Sequence, residues 1–510
     1  MKQIRPKMLV FSHICSPQYV TGAEKLLLFM VEELLPAYAC TLVVPNEGVI
    51  AVNARKLGIP VIVHHVPLAV SLYLALPPMN DDIAAAQRDP AWLQTLQLIH
   101  HERPNLIIAN TCVNPLPAIA GKLLGIPVVW TIMEVLRETA HTAMAASVIE
   151  QYSDYIVGIS EATLAPLRTP GMIPKSTLIP PSWQPHELAP ESWGEHRINR
   201  RRQLGIADDQ RLVGYISSSI FEEKGLEHFM HMAVNTAAQH PRAMYLIVGN
   251  PVDQAYFTRC LNIARELGLM ERFRWIRFEE HVETVYSAMD LLVVPSLTVE
   301  GFGMTALEGM VFGKPVVVYG SGGLSEIGRA TANEAFVAPT GDIAGLTVRV
   351  SSLLADESAM QMIGARNAQL AHAVYGIGAY RDRLRSFTDT LPVRGYTPPT
   401  VLKGSAPTIY KFEGGMLRPF RSIRSFQRAG YRMGEVREVP DAYIAAWPKG
   451  APIGTANRRR RKRTSGRKGK RRLLGRGGLK RRRPLSGGSR RARGARGAQG
   501  ARGAKSKKKR

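Results

Sequence analysis

A chain of 510 residues, 45% of them apolar, is long enough for about three domains with sizeable cores. Its formal charge of +26 is confined to one end: residues 458–510 hold 26 of the 67 Lys and Arg and no acidic residue, which leaves 41 basic residues against 41 acidic ones in the rest. No apolar run approaches the length of a membrane span, and Cys15, Cys40, Cys112 and Cys260 lack any CxxC or metal-ligand spacing, which argues against membrane helices, a disulfide scaffold and a zinc site.

In chain order, MKQIRPKMLVFSHI passes directly into a first strand, so no signal peptide is expected, the body is expected to be cytoplasmic and its thiols reduced and buried. Residues 7 to 180 alternate short apolar runs (MLVFSHI, TLVVP, VIVHH, LIIAN, VVWTIM, YIVGIS) with amphipathic stretches such as Glu24 to Leu35 and Leu116 to Leu124. Period-2 or fully apolar runs alternating with helical patterns predict a doubly wound parallel sheet. Residues 68–90, with prolines and the pair Asp81-Asp82, predict a long loop, and the proline-rich stretch Ile179 to Pro190 a linker. The adjacent pairs His64-His65 and His100-His101 point their rings apart too readily to serve one metal.

A second series begins at Leu212 with LVGYIS, MYLIVGN, FRWIRF, LLVVP and PVVVYG, and Ala371 to Leu391 predicts one final helix. From Leu402 to Ile453 the composition changes to a small unit with a hairpin over Ile409 to Phe420 that turns at Gly414-Gly415. The Gly, Ser and Arg-rich tail lacks apolar residues to bury and is expected to be disordered, and its four G-x-y triplets without proline are too few for a collagen helix. The expected domains are 1–182, 183–392 and 400–455, followed by the tail 456–510.

The most informative stretch is Ser296 to Ile327, SLTVEGFGMTALEGMVFGKPVVVYGSGGLSEI. The run DLLVVP before it is a buried strand, Gly301-Phe302-Gly303 a tight turn, and Met304 to Phe312 a helix ended by Gly313. The amides of Gly301, Phe302, Gly303, Met304 and Thr305 at such a helix start attract phosphate, and glycines let a ligand approach the backbone. Glu300 lies on the loop before the helix and Glu308 one turn into it. Glu-x-Phe-Gly, four residues and Glu, then Gly-Lys-Pro-Val-Val and Gly-Gly-Leu-Ser-Glu-Ile resemble the donor-site signature of family 4 retaining glycosyltransferases, which have the GT-B fold: two Rossmann-like parallel-sheet domains facing a cleft. The resemblance covers about residues 7–390. It implies that Glu300 meets the donor sugar, that Glu308 binds the ribose hydroxyls, and that Lys224 of Glu223-Lys224-Gly225 contacts the donor diphosphate.

Three places depart from or vary the family pattern. Where the family carries Gly-Arg this chain reads Ser217-Ser218-Ser219, so one expected cation is missing and Ser218 is left to bind phosphate by hydroxyl or amide. Thr21-Gly22-Ala23-Glu24 resembles the family's Gly-Gly-Ala-Glu turn, with Gly22 keeping the close approach to donor and Thr21 acting equally well as an ordinary helix cap. Where many members place a histidine, VVWTIME puts Met133, followed by Glu134, so that role is either absent or taken by Glu134. Glu326 lies either near the nucleotide or in a packing position.

The resemblance thus implies a hexosyltransferase that uses a nucleotide diphosphate sugar, needs no metal or other cofactor, and delivers to an unknown glycan, lipid or protein acceptor. Two other readings stay open: a GT-B scaffold that only binds, and a polyanion-binding assembly factor working through residues 458–510. Nucleic acid, anionic membrane or wall polymer would attract that tail, so peripheral association with an anionic surface is a further expectation.

Overall fold

The computed structural model describes residues 5–454 except Tyr19, Val393 and Arg394. The basic tail, with the disorder expected of it, lies outside the described residues.

The first sheet is built from β1 (Lys7–Phe11), β2 (Ala39–Val44), β3 (Val61–Val63), β4 (Leu106–Asn110), β5 (Val128–Ile132), β6 (Tyr155–Gly158) and β7 (Ser176–Leu178). Its order is β3-β2-β1-β4-β5-β6-β7 and every pairing is parallel, with Val10 opposite both Leu42 and Ile108. β4 and β5 are buried along their whole length because helices cover both faces, which is why they read as continuous apolar runs. The second sheet repeats the plan with β8 (Arg211–Ile220), β9 (Ala243–Pro251), β10 (Phe273–Ile276), β11 (Leu291–Val294), β12 (Val316–Tyr319) and β13 (Val337–Ala338), in the order β10-β9-β8-β11-β12-β13. The strand order reverses beside β1 in one sheet and beside β8 in the other. Ligands of open α/β sheets bind at such reversals, outside the strands' carboxyl ends. The two Rossmann-like halves meet there across a cleft, the GT-B arrangement.

Two local expectations need correction, and two strands are added. Residues 68–90 are not a long loop: the helices Val70–Tyr73 and Met79–Ala86 bury Leu72, Met79 and Ile83 in the first core, and Asp81 and Asp82 occupy a first turn where the helix dipole favours them. The final helix is two helices, Glu357–Tyr375 and Ile377–Thr388, interrupted at Gly376, whose ψ of 162° is not helical. Ala371 and Tyr375 pack in the second domain, whereas Tyr380, Leu384 and Phe387 pack in the first, so the chain crosses back between domains at the break. Arg381 seals the crossing with a bond to Glu33 at 2.7 Å. β7 and β13, of three and two residues, are too short to leave a period in the sequence.

The last described unit holds β14 (Val401–Lys403), β15 (Tyr410–Glu413), β16 (Met416–Pro419) and β17 (Arg437–Glu438) in the order β16-β15-β14-β17. Gly414 and Gly415, with φ of 58° and 73°, make the two-residue turn between β15 and β16 that suits a right-twisted hairpin. Leu402, Leu417, Tyr443 and Trp447 join the core of the first domain, and the His100 ring sits 4.4 Å from that of Phe412. That histidine is thus spent on packing, and His64 bonds Thr95 at 2.8 Å. The four cysteines are unpaired and buried. Among the described residues no helix is long and apolar enough to cross a membrane, and no group of three or more His, Cys, Asp or Glu is placed to hold a metal ion.

Candidate functional site

Loops leaving β1, β5, β8 and β11 converge on a cleft of about 250 Å³, whose wall includes Gly22, Met133, Glu134, Ser218, Lys224, Glu300, Gly301, Phe302, Gly303, Met304 and Thr305. Residues separated by up to 283 positions therefore share one site, because each follows a strand that ends on the same side of its sheet.

The β8 loop is locked onto the β11 loop by backbone. Gly225 has φ 73°, and a Cβ there would come within 1.9 Å of the Pro295 carbonyl oxygen, so only glycine allows this approach. The turn Glu222–Lys224 just before it carries Lys224 to Glu300: Nζ to Oε1 is 2.6 Å. Ser296 Oγ donates to the same Glu300 oxygen at 2.7 Å, and Tyr215 Oη donates to the Lys224 carbonyl at 3.3 Å. Lysine and glutamate are thus held in one place from two loops, with both side chains partly buried.

The helix after the turn runs Met304–Val311, and its first residue follows Gly303, which offers no side-chain cap. Met304 and Thr305, whose amides open this helix, line the cleft. Gly301 lines the cleft and also permits close approach of the opposite domain: a Cβ on it would lie 2.3 Å from the Met133 carbonyl oxygen, and at Gly303 a Cβ would meet Leu324 at 2.4 Å. Gly22 faces open space, with nothing within 4 Å of its would-be Cβ.

In the first domain the helix Gly22–Leu34 begins with a full capping box. Thr21 accepts from the Glu24 amide, while buried Glu24 accepts from Thr21 N at 2.8 Å and from Ser16 N at 2.9 Å. The next side chain, Lys25, crosses the cleft: its Nζ is 3.4 Å from Glu308 Oε1. Glu308 also accepts from buried Tyr286 Oη at 2.8 Å, and burial together with this carboxylate raises the tyrosine pKa and keeps it a donor. Glu308 lies one turn behind Thr305, beside the residues of the cleft wall rather than among them.

Met133 and Glu134 both line the cleft. Burial raises the Glu134 pKa, against the Cys112 amide that donates to its Oε2 at 3.3 Å, and burial, followed by the Glu134 carboxylate, pushes the Cys112 thiol up. Glu326 lies away from the cleft wall. Its oxygens accept from Glu161 N at 2.8 Å and Ala162 N at 2.7 Å, so it binds a helix start of the first domain from the second.

An adjoining recess of about 270 Å³ shares Met133, Glu134, Lys224, Glu300 and Gly301 with the cleft and adds Tyr73, Arg137, Phe221 and Glu223. Arg137 stacks over the Tyr73 ring at 5.7 Å. Sequence reading missed Lys25, Tyr73, Arg137, Tyr286 and Ser296. Lys25 adjoins a motif that pointed at the cleft and Ser296 lies four residues before Glu300, whereas Tyr73 sits in the stretch expected to be a loop and Tyr286 carries no local signal.

Solved structures share this architecture. HepE of Anabaena, in complex with UDP and glucose, superposes with a TM-score of 0.63 over 76% of this chain and all of its own at 21% identity. In sequence, the chain is 32% identical over 182 residues to the 2-deoxystreptamine N-acetyl-D-glucosaminyltransferase of Streptomyces fradiae, covering 33% of this chain and 42% of that protein. It is 31% identical over 150 residues to an uncharacterized glycosyltransferase of Methanocaldococcus jannaschii, covering 29% and 37%. The chain therefore matches about two fifths of the length of these curated relatives. The family likeness is carried by the second domain, whose residues 196–370 match the family model described as Glycosyl transferases group 1.

Proposed function

We propose that the protein is a glycosyltransferase that moves a hexosyl unit from a nucleotide diphosphate sugar to an acceptor with retention of anomeric configuration. The meeting of Lys224, Glu300 and the Met304 helix start at one point of an interdomain cleft carries this reading. The UDP and glucose bound by HepE favour a nucleotide sugar as donor.

In this reading the diphosphate lies against the Met304 and Thr305 amides and Lys224, which shares its charge between Glu300 and the phosphate. Glu300 orients the sugar hydroxyls. Glu308, held by Tyr286, accepts from the ribose hydroxyls. The bond from the anomeric carbon to the diphosphate oxygen breaks as the acceptor oxygen bonds on the same face, and the acceptor proton passes to the departing phosphate oxygen. No protein base is then required, and stabilising the leaving diphosphate is the main task of the site. The acceptor enters by the recess beside Tyr73 and Arg137.

Thermal shift and donor hydrolysis with UDP-, GDP-, ADP- and dTDP-sugars test the reading. One donor class should stabilise the protein and be slowly hydrolysed or transferred; if none binds, the reading falls. Binding with neither hydrolysis nor transfer to any acceptor would instead favour a scaffold that only binds. Glu308→Ala should weaken nucleotide binding at least about tenfold by calorimetry, since a hydrogen bond to a charged group contributes about 1.5–3 kcal/mol; unchanged affinity would remove Glu308 from the ribose.

The cytoplasmic body and its anion-binding tail belong to the same proposal. Binding through Lys and Arg to phosphate releases counterions and falls steeply with salt. Deleting residues 458–510 should abolish salt-sensitive retention on heparin, DNA and anionic vesicles and leave nucleotide binding intact. Retention that survives the deletion would place the basic surface elsewhere.

A further inference from the structure

The charge balance of the cleft leaves the proposed donor undersupplied with cations. Among the described residues that line it, Lys224 is the single basic side chain, and Glu134 and Glu300 are carboxylic. A nucleoside diphosphate sugar brings about two negative charges, and Lys224 already pairs with Glu300 at 2.6 Å. A second cation beside the site would offset the repulsion.

We propose that Lys25 is that cation: a positioning residue of the first domain that pairs with Glu308 and turns to the diphosphate when ribose hydroxyls take the Glu308 carboxylate. The inference rests on the donor reading above.

Two observations favour it. Lys25 lies between Ala23 and Leu26, both on the cleft wall, and its Nζ already reaches across to the second domain, 3.4 Å from Glu308 and 3.9 Å from Glu187. Its location also carries a local cost. A lysine in the first turn of the helix Gly22–Leu34 opposes the helix dipole, so helix stability alone gives no reason for a cation there. Glu308 raises the Lys25 pKa and holds the ammonium charged at neutral pH. The side chain is 47% exposed and has a flexible four-carbon stem, so it can change partners without unpacking anything. An ion pair this exposed contributes little to stability, which separates a binding role from a structural one.

Calorimetry on the full chain with UDP, GDP, ADP and dTDP first identifies the diphosphate that the wild-type protein binds; the same base is then offered as the nucleoside without phosphate. Lys25→Ala should weaken the diphosphate about tenfold and leave the nucleoside unchanged or tighter, because Glu308 has lost its competing partner. Lys25→Arg should restore most of the diphosphate affinity. Equal weakening of both ligands would make Lys25 a structural residue, tightening of both would make it a mere plug on Glu308, and no change in either would remove it from the site; each of these overturns the proposal. If the wild-type protein binds none of the four diphosphates, the donor reading itself fails and the role of Lys25 falls with it.

Discussion

Lys224→Ala should lower kcat for donor turnover by about 100- to 1000-fold, with a smaller change in KM. The lysine is pre-positioned: its backbone is held by Tyr215 Oη, its turn is closed by Gly225 against Pro295, and its Nζ is oriented by Glu300. A group fixed in this way pays no reorganisation cost when charge builds on the leaving phosphate, and removing one such donor typically costs two to three orders of magnitude in rate. Because the substrate diphosphate is already charged in the ground state, some loss of binding should accompany it, and the ratio of the two effects reads out the difference between ground and transition states. Steady-state and single-turnover kinetics with the donor identified above measure both. An unaltered kcat would take Lys224 out of the reaction and leave it as the partner of Glu300.

Asp290→Ala should destabilise the second domain by about 3–5 kcal/mol, the loss expected when one member of a buried ion pair is removed. Asp290 stands just before β11, the strand that delivers the Glu300 loop. One oxygen takes Arg197 at 2.5 Å; the other takes Arg201 at 3.1 Å and the Leu212 amide at 2.7 Å. Arg201 is 3% exposed, and without Asp290 its remaining partners are the neutral carbonyls of Ala288, Ala207 and Gln210. Nearby Lys314 already has its pKa lowered to about 8, first by burial and then by Arg197 and Arg201, with Asp290 working in the opposite direction. Alanine would thus leave buried Arg201 and partly buried Lys314 beside partly exposed Arg197 without their shared carboxylate. Urea unfolding followed by fluorescence measures the change, and a loss below about 1 kcal/mol would show that the pair is solvated or replaceable.

The sequence by itself determined the two parallel sheets, because strands covered on both faces must be apolar throughout, and runs such as LIIAN and LLVVP carry that requirement openly. It also determined the turns that depend on a residue type. Gly414-Gly415 marks its hairpin, since few other residues adopt those backbone angles. The site was legible where chemistry is local: Glu300 and the helix start at Met304 are near neighbours in the chain. What only the tertiary structure decided is the partnership between loops. Lys25 meets Glu308, Lys224 meets Glu300, and Gly301 meets the Met133 carbonyl across separations that leave no period or spacing in one chain. Two expectations failed for related reasons. Residues 68–90 looked like a loop because polar and proline-rich signals masked short helices whose few apolar residues, Leu72, Met79 and Ile83, are useful only against the first-domain core. Ala371 to Leu391 looked like one helix because helical periodicity continues through Gly376, while the break there follows from two domains offering the chain two separate surfaces to bury. Short-range pattern records what a segment must bury; which surface receives it is settled when distant segments come together.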